Sequence, residues 1–314
     1  MAEDLYDLGE RGLIERLRQR LPGGQGVVLG PGDDCAIVSI EDHGPHELLL
    51  TSDPVIEGIH FDSGEDPCRI GAKAMGRVLS DIAAMGGEPL WALVNLVLPA
   101  GADVTLAEAL YDGLLSASSG AGVMIVGGDV ARGAGIELHL FGVGRVPRGR
   151  AVRRSGGQVG DALFVTGPLG GSLTGKHLDF TPRVAEGLFL RDWASCMIDV
   201  TDGLLTDLRH LCAASAVGAS IREAAVPVSE AARLLNDGRS PMEHAMVDGE
   251  DFELLFAVAE AKRAALVAAW PQNFDSPLFE LGRFTEGAAS IRVLDEAGHE
   301  RKAMGQGFDH FGKT

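Results

Sequence analysis

The sequence predicts an α+β protein built from two α/β domains with mixed sheets. Short apolar segments alternate with longer segments in which apolar residues recur every three or four positions, and this alternation runs through both halves of the chain. A basic, glycine-rich segment at 147–157 interrupts the pattern. Because 314 residues suffice for two cores, we predict an N-terminal domain over residues 1–148 and a C-terminal domain over residues 149–314.

Helices are predicted where apolar residues recur at helical spacing. In residues 67–85, Ile70, Ala74 and Val78 follow one another at four-residue intervals. The same pattern predicts helices over 9–21, 105–121, 204–215 and 259–269. Short apolar runs predict strands over 36–40, 47–51, 91–98, 123–126, 136–146, 161–166, 197–200 and 252–258.

Charge and cysteine content argue against several partners and locations. The net charge of −18 disfavours nucleic acid and anionic membrane surfaces, which both attract Lys and Arg. No apolar run reaches the roughly 18 residues of a membrane span, and the acidic N-terminus lacks the apolar segment of a signal peptide. None of the four cysteines lies in a Cys-x-x-Cys pair, so we expect no zinc site and a reducing, cytoplasmic location.

Aspartates recur in one context, at the ends of apolar runs beside glycine or a hydroxyl residue. A carboxylate at the edge of a buried run requires a partner. So many in one chain suggest a shared cationic partner, and magnesium ions that hold nucleotide phosphates would serve. The aspartates in this context are Asp33, Asp34, Asp53, Asp129, Asp199 and Asp202.

Each of these acids also has a simpler interpretation. Gly-Asp-Asp is good turn chemistry, so Asp33 and Asp34 taken alone are typical of a turn. Asp81 lies within the predicted helix 67–85, beside its apolar face, where it would form either a core salt bridge or a ligand contact. A segment from Gly170 nearly matches the phosphate-binding P-loop, but His177 replaces the hydroxyl residue that binds magnesium. We therefore do not expect a P-loop.

Eight short motifs occur in an order that resembles the thiamine-monophosphate kinase family, within the aminoimidazole ribonucleotide synthetase-like superfamily. The resemblance spans the chain from about residue 9 to residue 311. The motifs are Gly32-Asp-Asp-Cys-Ala36, Thr51-Ser-Asp53 through Phe61, Leu79-Ser-Asp-Ile-Ala-Ala-Met-Gly86, Gly127-Gly-Asp129, Arg153-Arg-Ser-Gly156, Met197-Ile-Asp-Val-Thr-Asp-Gly-Leu204, Gly249-Glu-Asp-Phe-Glu-Leu254 and Gly307-Phe-Asp-His-Phe311.

The resemblance implies an N-terminal domain that pairs across a homodimer and a C-terminal domain that closes over ATP. The implied reaction is ATP-dependent phosphorylation of thiamine monophosphate to thiamine diphosphate. By their positions in the family motifs, the residues that would hold several magnesium ions are Asp34, Thr51, Ser52, Asp53, Asp81, Asp129, Asp199 and Asp202. Residues matched to ATP contacts are Tyr111, Gly128, Asp129, Arg154 and Thr201. Residues matched to the thiamine phosphate site are His60, Glu250 and Phe308.

Two departures from the family pattern concern the acceptor. Asp248 adds a carboxylate where glycine is usual, and the 175–183 region is shorter than in some relatives. Other ATP-dependent enzymes of the superfamily are an alternative. The selenophosphate and hydrogenase-maturation branches use an N-terminal or C-terminal cysteine, which the sequence lacks. A non-catalytic nucleotide- or thiamine-phosphate-binding protein is a third possibility, which the full acid set disfavours.

Overall fold

The computed structural model describes Glu15, residues 26–39 and residues 44–301. These residues form two six-stranded mixed sheets flanked by helices, which confirms the predicted α+β class. The predicted helix over 9–21 lies outside the described residues except for Glu15, which is helical. Among the residues that the structure describes, no helix has the length and apolar character needed to span a bilayer.

The first sheet has the strand order β1-β2-β3-β6-β4-β5. Its neighbours are antiparallel except for β4 and β5, which run parallel because a helix connects them. The strands are β1 (Val27–Leu29), β2 (Ala36–Val38), β3 (His46–Ile56), β4 (Glu88–Pro99), β5 (Met124–Gly133) and β6 (Glu137–Pro147).

Two of these strands extend further than the sequence predicts. β3 continues past residue 51 to Ile56, and β5 continues past residue 126 to Gly133. Asp53 and Asp129 therefore lie inside strands, and the expectation that they follow strand ends was wrong. Backbone pairing of β3 with β6 and of β5 with β4 continues through the polar residues, because the ladder uses main-chain groups whatever the side chain.

The second sheet has the order β12-β9-β11-β7-β10-β8, with β12 and β9 as its parallel pair. β10 begins at Leu254, two residues later than predicted, because Phe252 has a φ of +52°, which a strand does not accept. The strands are β7 (Ala162–Val165), β8 (Ala194–Asp199), β9 (Gly218–Arg222), β10 (Leu254–Val258), β11 (Phe279–Thr285) and β12 (Ile291–Leu294).

The helices in the described residues include four that the sequence predicts and four short ones that it does not. The predicted helices appear as α1 (Pro67–Ala84), α2 (Val104–Gly120), α5 (Leu204–Ser215) and α8 (Glu260–Asn273). The others are α3 (Lys176–Asp179), α4 (Val184–Leu190), α6 (Glu230–Leu234) and α7 (Pro241–Val247). Short helices escape a periodicity argument because they contain too few turns to repeat a pattern.

Helix α1 lies between the two halves of the molecule. The Asp66 side chain caps its first turn by accepting a hydrogen bond from the Cys68 amide. One side packs on the first sheet through Val78 and Ile82, both about 1% exposed. Another side meets α4 so closely that a Cβ on Gly187 would lie 2.3 Å from the Ala83 carbonyl oxygen. α1 therefore belongs to the cores of both halves.

Helices α1 and α2 approach each other through glycines. A Cβ on Gly113 of α2 would lie 1.8 Å from the Cys68 carbonyl oxygen, and one on Gly71 of α1 would lie 2.0 Å from the Leu110 carbonyl oxygen. Neither clash has a flexible side chain that could move away. The spacing of these helices, and with it the position of α1, depends on both glycines.

We predict that Gly113→Ala lowers the free energy of unfolding by about 2–3 kcal/mol, because the added methyl group forces the two helix backbones apart. Chemical denaturation followed by circular dichroism measures the change. The matched control is Gly101→Ala, since a Cβ there would meet nothing within 4 Å. Equal effects of the two substitutions would contradict close helix packing at Gly113.

Candidate active site

Helix α1 presents a polar stripe to the C-terminal half of the molecule. Lys73, Arg77, Ser80 and Asp81 follow at intervals of four, three and one residues, which places them on one side of a helix. Lys73 is fully buried, and Ser80 is 1% exposed. Polar groups buried to this extent require partners, and the partners come from both halves of the chain.

Three carboxylates converge at one end of this stripe. Asp34 lies in the turn before β2, Asp81 lies on α1, and Asp199 is the last residue of β8. One oxygen of each lies within 4.8 Å of the others. Hydroxyl groups support two of them, since Thr51 donates to Asp81 and Ser80 donates to Asp199. We refer to Asp34, Asp81 and Asp199 as the carboxylate cluster.

The carboxylate cluster is electrostatically unfavourable without a cation. Burial, followed by repulsion from Asp53 and Asp199, raises the pKa of Asp81 well above its usual range. Burial, followed by repulsion from Asp34, raises the pKa of Asp199 to about 8. Next to the cluster, burial and Asp34 raise the pKa of Asp33 to about 7. Carboxyl groups in such a cluster either keep protons or bind a cation.

The carboxylate cluster suits magnesium by its chemistry. Its ligands are hard carboxylate and hydroxyl oxygens, which magnesium prefers. The neighbouring thiol of Cys35 is buried, and burial, followed by repulsion from Asp81, raises its pKa well above the usual value. A protonated thiol neither binds the metal strongly nor attacks a phosphorus atom. Asp34, Asp81, Asp199 and the Thr51 hydroxyl are thus the groups that fit a magnesium ion here.

One side of the carboxylate cluster is closed by Arg154. Its Nη2 donates to Asp34 Oδ1 at 2.7 Å, and its backbone amide donates to Asp33 Oδ2 at 3.0 Å. Asp33, which was expected to be a turn residue, therefore anchors the segment that carries Arg154. About a quarter of the Arg154 side chain, 23%, stays exposed, so the guanidinium can reach a ligand.

A second charged group lies on the other side, around Glu250. Glu250 accepts hydrogen bonds from Lys73 Nζ at 2.8 Å and from Arg77 Nη1 at 3.0 Å. Arg77 Nη2 also donates to Asp53 Oδ1 at 3.0 Å. Lys73 reaches the His60 carbonyl oxygen at 2.6 Å. The side chains of α1 thereby connect Asp53, His60 and Glu250, which the sequence assigned to metal and acceptor.

His60 is held in a defined orientation. The residue is 8% exposed, and the Ile56 amide donates to its ring Nδ1 at 3.0 Å. A ring nitrogen that accepts a hydrogen bond carries no proton, so the neutral ring bears its proton on Nε2.

Segment 248–253 has a strained backbone. Glu250 and Phe252 have φ values of +60° and +52°, which cost non-glycine residues about 1–3 kcal/mol each. The residues that alternate with them hold the segment in place. Asp251 accepts from the Gly170 amide at 2.8 Å, and Glu253 accepts from Arg183 Nε at 2.8 Å. This backbone conformation directs the Glu250 side chain toward α1.

The Asp248 carboxylate, a departure from the family pattern, is already engaged. Its Oδ2 lies 2.8 Å from His244 Nδ1 and accepts from the Gly171 amide at 2.9 Å, while its Oδ1 accepts from Arg239. It ties the end of α7 to the glycine-rich turn. Asp248 therefore has its own hydrogen-bond partners within the C-terminal half.

Thr201 and Asp202 follow β8 in a turn beside the carboxylate cluster. Their backbone amides both donate to Asp207 Oδ2, at 3.0 and 3.1 Å. Carboxylate oxygens of Asp202 and Asp207 and a ring nitrogen of His210 lie within 4.8 Å of one another. Asp202 thus belongs to a second acidic group, separate from the three carboxylates.

Several predicted site residues do not meet the carboxylate cluster within one chain. Thr51 and Asp53 face α1, whereas the alternation of side chains along a strand turns Ser52 to the opposite, outer face. Asp129 pairs in register with Asn95 on that outer face. In the sheet, β6 and β4 also lie between β3 and β5, the strand that carries Asp129. Gly128 lies on the same exposed strand β5.

The two remaining predicted residues are Tyr111 and Phe308. Tyr111 lies on α2, half-buried against the core of the first half. Phe308 lies outside the described residues. The roles proposed for both come from the family resemblance alone.

Sequence reasoning missed Lys73, Arg77 and Asp207. Lys73 and Arg77 precede Asp81 at intervals of four residues within an otherwise apolar helix, and this spacing was a usable signal. Two cations aligned with a buried acid indicate a shared polar face. Asp207 carried no such signal, because a carboxylate in the first turn of a helix is ordinary.

Comparison with known proteins identifies the family. The family models of the AIR synthase related protein match over residues 32–146 for the N-terminal domain and 172–295 for the C-terminal domain. The thiamine-monophosphate kinase of Rhodopirellula baltica is 37% identical over an alignment of 314 positions that covers 96% of this chain and 97% of that protein. This chain belongs to the thiamine-monophosphate kinase family.

Other members of the family give the same result. The thiamine-monophosphate kinase of Escherichia coli K12 is 35% identical over 96% of this chain and 98% of its own length. The solved structure named AaThiL complexed with AMPPCP and TMP has a TM-score of 0.85 to this chain. It is 31% identical and covers 99% of both chains. The similarity therefore extends over both halves of the chain.

We predict that the magnesium-free protein becomes less stable as pH rises. Asp33 and Asp199 have folded-state pKa values of about 7 and about 8, above the unfolded value of about 4. The folded chain thus binds more protons than the unfolded chain between these values, and stability falls as pH rises through them. Thermal melts with a chelator should show a midpoint about 3–6 °C lower at pH 8 than at pH 6.

Magnesium should remove most of this pH dependence, because it neutralises the carboxylates in place of protons. Asp199→Asn should raise the midpoint of the chelated protein at pH 8 and reduce the effect of magnesium. The exposed Glu286 offers a matched control, and Glu286→Gln should change neither quantity. A chelated midpoint that does not fall between pH 6 and pH 8 would contradict the repulsion among the carboxylates.

Proposed function

We propose that this chain phosphorylates thiamine monophosphate with ATP, yielding thiamine diphosphate and ADP. The observation that carries the proposal is the convergence of Asp34, Asp81 and Asp199 from two halves of the chain. Buried acids of this kind suit a site where magnesium and phosphates meet. Curated relatives of nearly the same length bear the name of this kinase, and a solved relative is named with AMPPCP, an ATP analogue, and TMP.

The acceptor itself supplies the nucleophile. An oxygen of the thiamine monophosphate phosphate forms the new bond to the γ-phosphorus of ATP, and the bond from that phosphorus to the β,γ-bridging oxygen breaks as ADP leaves. Because both reactants are anions, the main barrier is their mutual repulsion and alignment. No protein nucleophile is required, in agreement with the protonated, buried Cys35.

Magnesium ions would neutralise the phosphates when bound, held by Asp34, Thr51, Asp53, Asp81 and Asp199. Asp202 would hold a further ion from the neighbouring turn. We assign Arg154 and Thr201 to ATP, because Arg154 borders the carboxylate cluster with a side chain that is 23% exposed and Thr201 lies two residues after Asp199. We assign His60, Glu250 and Phe308 to the acceptor. Tyr111 and Gly128 remain candidate ATP contacts.

We also propose a homodimer that pairs through the outer face of the first sheet. Leu50, Trp91, Leu93 and Phe141 are each 37–42% exposed and lie on this face. Strand register places Leu93 beside Phe141, and Phe141 beside Ser52. A contiguous apolar patch of this kind is typical of an interface, and its occupant would be a second copy of this chain.

The dimer would also give Asp129, Gly128 and Ser52 a role. These residues lie on the outer face or the exposed edge strand, away from the carboxylate cluster of their own chain. We propose that Asp129 completes the site of the partner subunit. We further propose domains over residues 1–148 and 149–314, divided just after β6, and a cytoplasmic location consistent with four free cysteines in the described residues.

The reaction is tested by ADP release with magnesium, ATP and one acceptor at a time. We expect turnover with thiamine monophosphate, and none with thiamine or aminoimidazole ribonucleotide precursors. Asp81→Asn should lower turnover by about a thousandfold or more, because it removes a ligand of the magnesium that would neutralise the phosphates in the transition state. ATP binding without ADP release would instead support a non-catalytic binding protein.

The role of Asp129 is tested by subunit complementation. Asp129→Asn and Asp81→Asn homodimers should each be nearly inactive. A heterodimer of the two, co-expressed with different tags and purified, should regain roughly half of wild-type activity, because one of its two sites has every ligand intact. An inactive heterodimer would show that Asp129 acts within its own chain, and a monomeric protein at micromolar concentration would exclude the shared site.

A further inference from the structure

Arg77 joins two groups that have separate roles in the proposed reaction. Its Nη2 donates to Asp53, a proposed metal ligand, and its Nη1 donates to Glu250, a proposed acceptor residue, both at 3.0 Å. The side chain is 15% exposed. It projects from α1 into the space between the two halves, where the reactants would meet.

The hydrogen bonding of Arg77 is incomplete. A guanidinium carries five N–H donors, and Arg77 Nε is buried without a hydrogen-bond partner in the part of the chain that the structure describes. Buried donors in folded proteins nearly always have acceptors. The unsatisfied Nε is a donor that an acceptor oxygen of a ligand would satisfy.

The charges around Arg77 leave its guanidinium able to bind an anion. Lys73 shares Glu250 with Arg77, so two cations face the two anions Asp53 and Glu250. The Phe252 ring, with its centroid 5.9 Å from Arg77 Cζ, covers one side. The planar fork of an arginine matches a phosphate group, since both can form two parallel hydrogen bonds.

The two arginines of the site contact different carboxylates. Arg154 pairs with Asp34, beside the segment that we assign to ATP, whereas Arg77 pairs with Asp53 and Glu250, beside His60 and Lys73. Two fixed guanidinium groups therefore border the proposed reaction centre, each at its own part of the site.

We propose that Arg77 binds the phosphate of the acceptor. This inference rests on the proposed function and adds a specificity-determining residue to it. Arg77 orients the acceptor phosphate through its free N–H donors and holds positive charge beside the nucleophilic oxygen. It also accounts for selection of a phosphate monoester over the free alcohol, because an acceptor without phosphate leaves the guanidinium unsatisfied.

The test compares Arg77→Met, Arg77→Lys and Arg69→Met. Arg69 is a matched control on the same helix: it also crosses to the C-terminal half, where Nη2 contacts Asp179 at 2.6 Å, but it lies away from Asp53 and Glu250. Arg77→Met should raise the KM for thiamine monophosphate about tenfold to a hundredfold, since a charged hydrogen bond to phosphate is lost. The KM for ATP should change less than about threefold.

Arg77→Lys should recover part of the affinity, because it restores the charge without the fork. Arg69→Met should leave both KM values unchanged. Calorimetric affinity for thiamine monophosphate, in magnesium and a non-hydrolysable ATP analogue, should follow the KM. An acceptor KM within about twofold of wild type in Arg77→Met, or equal increases for ATP and acceptor together with a lower melting midpoint, would overturn the proposal.

A separate measurement distinguishes this inference from the proposed function. If the wild type releases no ADP with thiamine monophosphate, the proposed acceptor is wrong. Binding of inorganic phosphate in magnesium by wild type and Arg77→Met still tests the arginine. Weaker phosphate binding by Arg77→Met than by wild type and Arg69→Met supports a phosphate-binding Arg77, and equal binding by all three overturns it.

Discussion

Repulsion among buried carboxylates is the constraint on which the rest of this structure depends. Asp34, Asp81 and Asp199 come from a turn, a helix and a strand end, and their oxygens lie within 4.8 Å of one another. Folding brings these carboxylates together, although the charged form of each is more stable when the others are far away. The surrounding hydroxyl groups, Arg154 and the two cations of α1 limit the cost. The carboxylates are held in a fixed arrangement, but the protein does not supply enough positive charge to neutralise them. A site that binds magnesium together with phosphates requires both properties.

Helix α1 makes this arrangement possible because it is buried on nearly all sides. Its contact with α2 depends on Gly71 and Gly113, and its contact with α4 depends on Gly187. Close packing fixes its rotation, and the rotation directs Lys73, Arg77 and Asp81 at the C-terminal half. The strained φ values of Glu250 and Phe252 supply the matching surface from the other side. Neither half alone contains a complete site.

Part of the fold and of the site could be predicted from the sequence. The remainder depends on contacts between residues that lie far apart in the sequence. The long helices and most strands of the first sheet followed from periodicity, and the acid motifs pointed to Asp34, Asp81 and Asp199. Periodicity could not show that β3 continues through Asp53, because strand pairing ignores side-chain polarity. It also could not separate Ser52 from Thr51, since the face that a strand buries is set by its partners. Arg77 contacts Asp53 and Glu250, and the latter lies 173 positions away, which no local pattern reveals.

The burial of Lys73 has a consequence for cooperativity. Its ammonium group has no exposed surface, and the carboxylate that neutralises it, Glu250, lies beyond the division between the two halves. If the C-terminal half unfolded alone, the N-terminal half would lose the counter-charge of a group already withdrawn from water. The two halves, which look like separate domains in their sheets, should therefore unfold in one transition. The division in topology is not a division in stability.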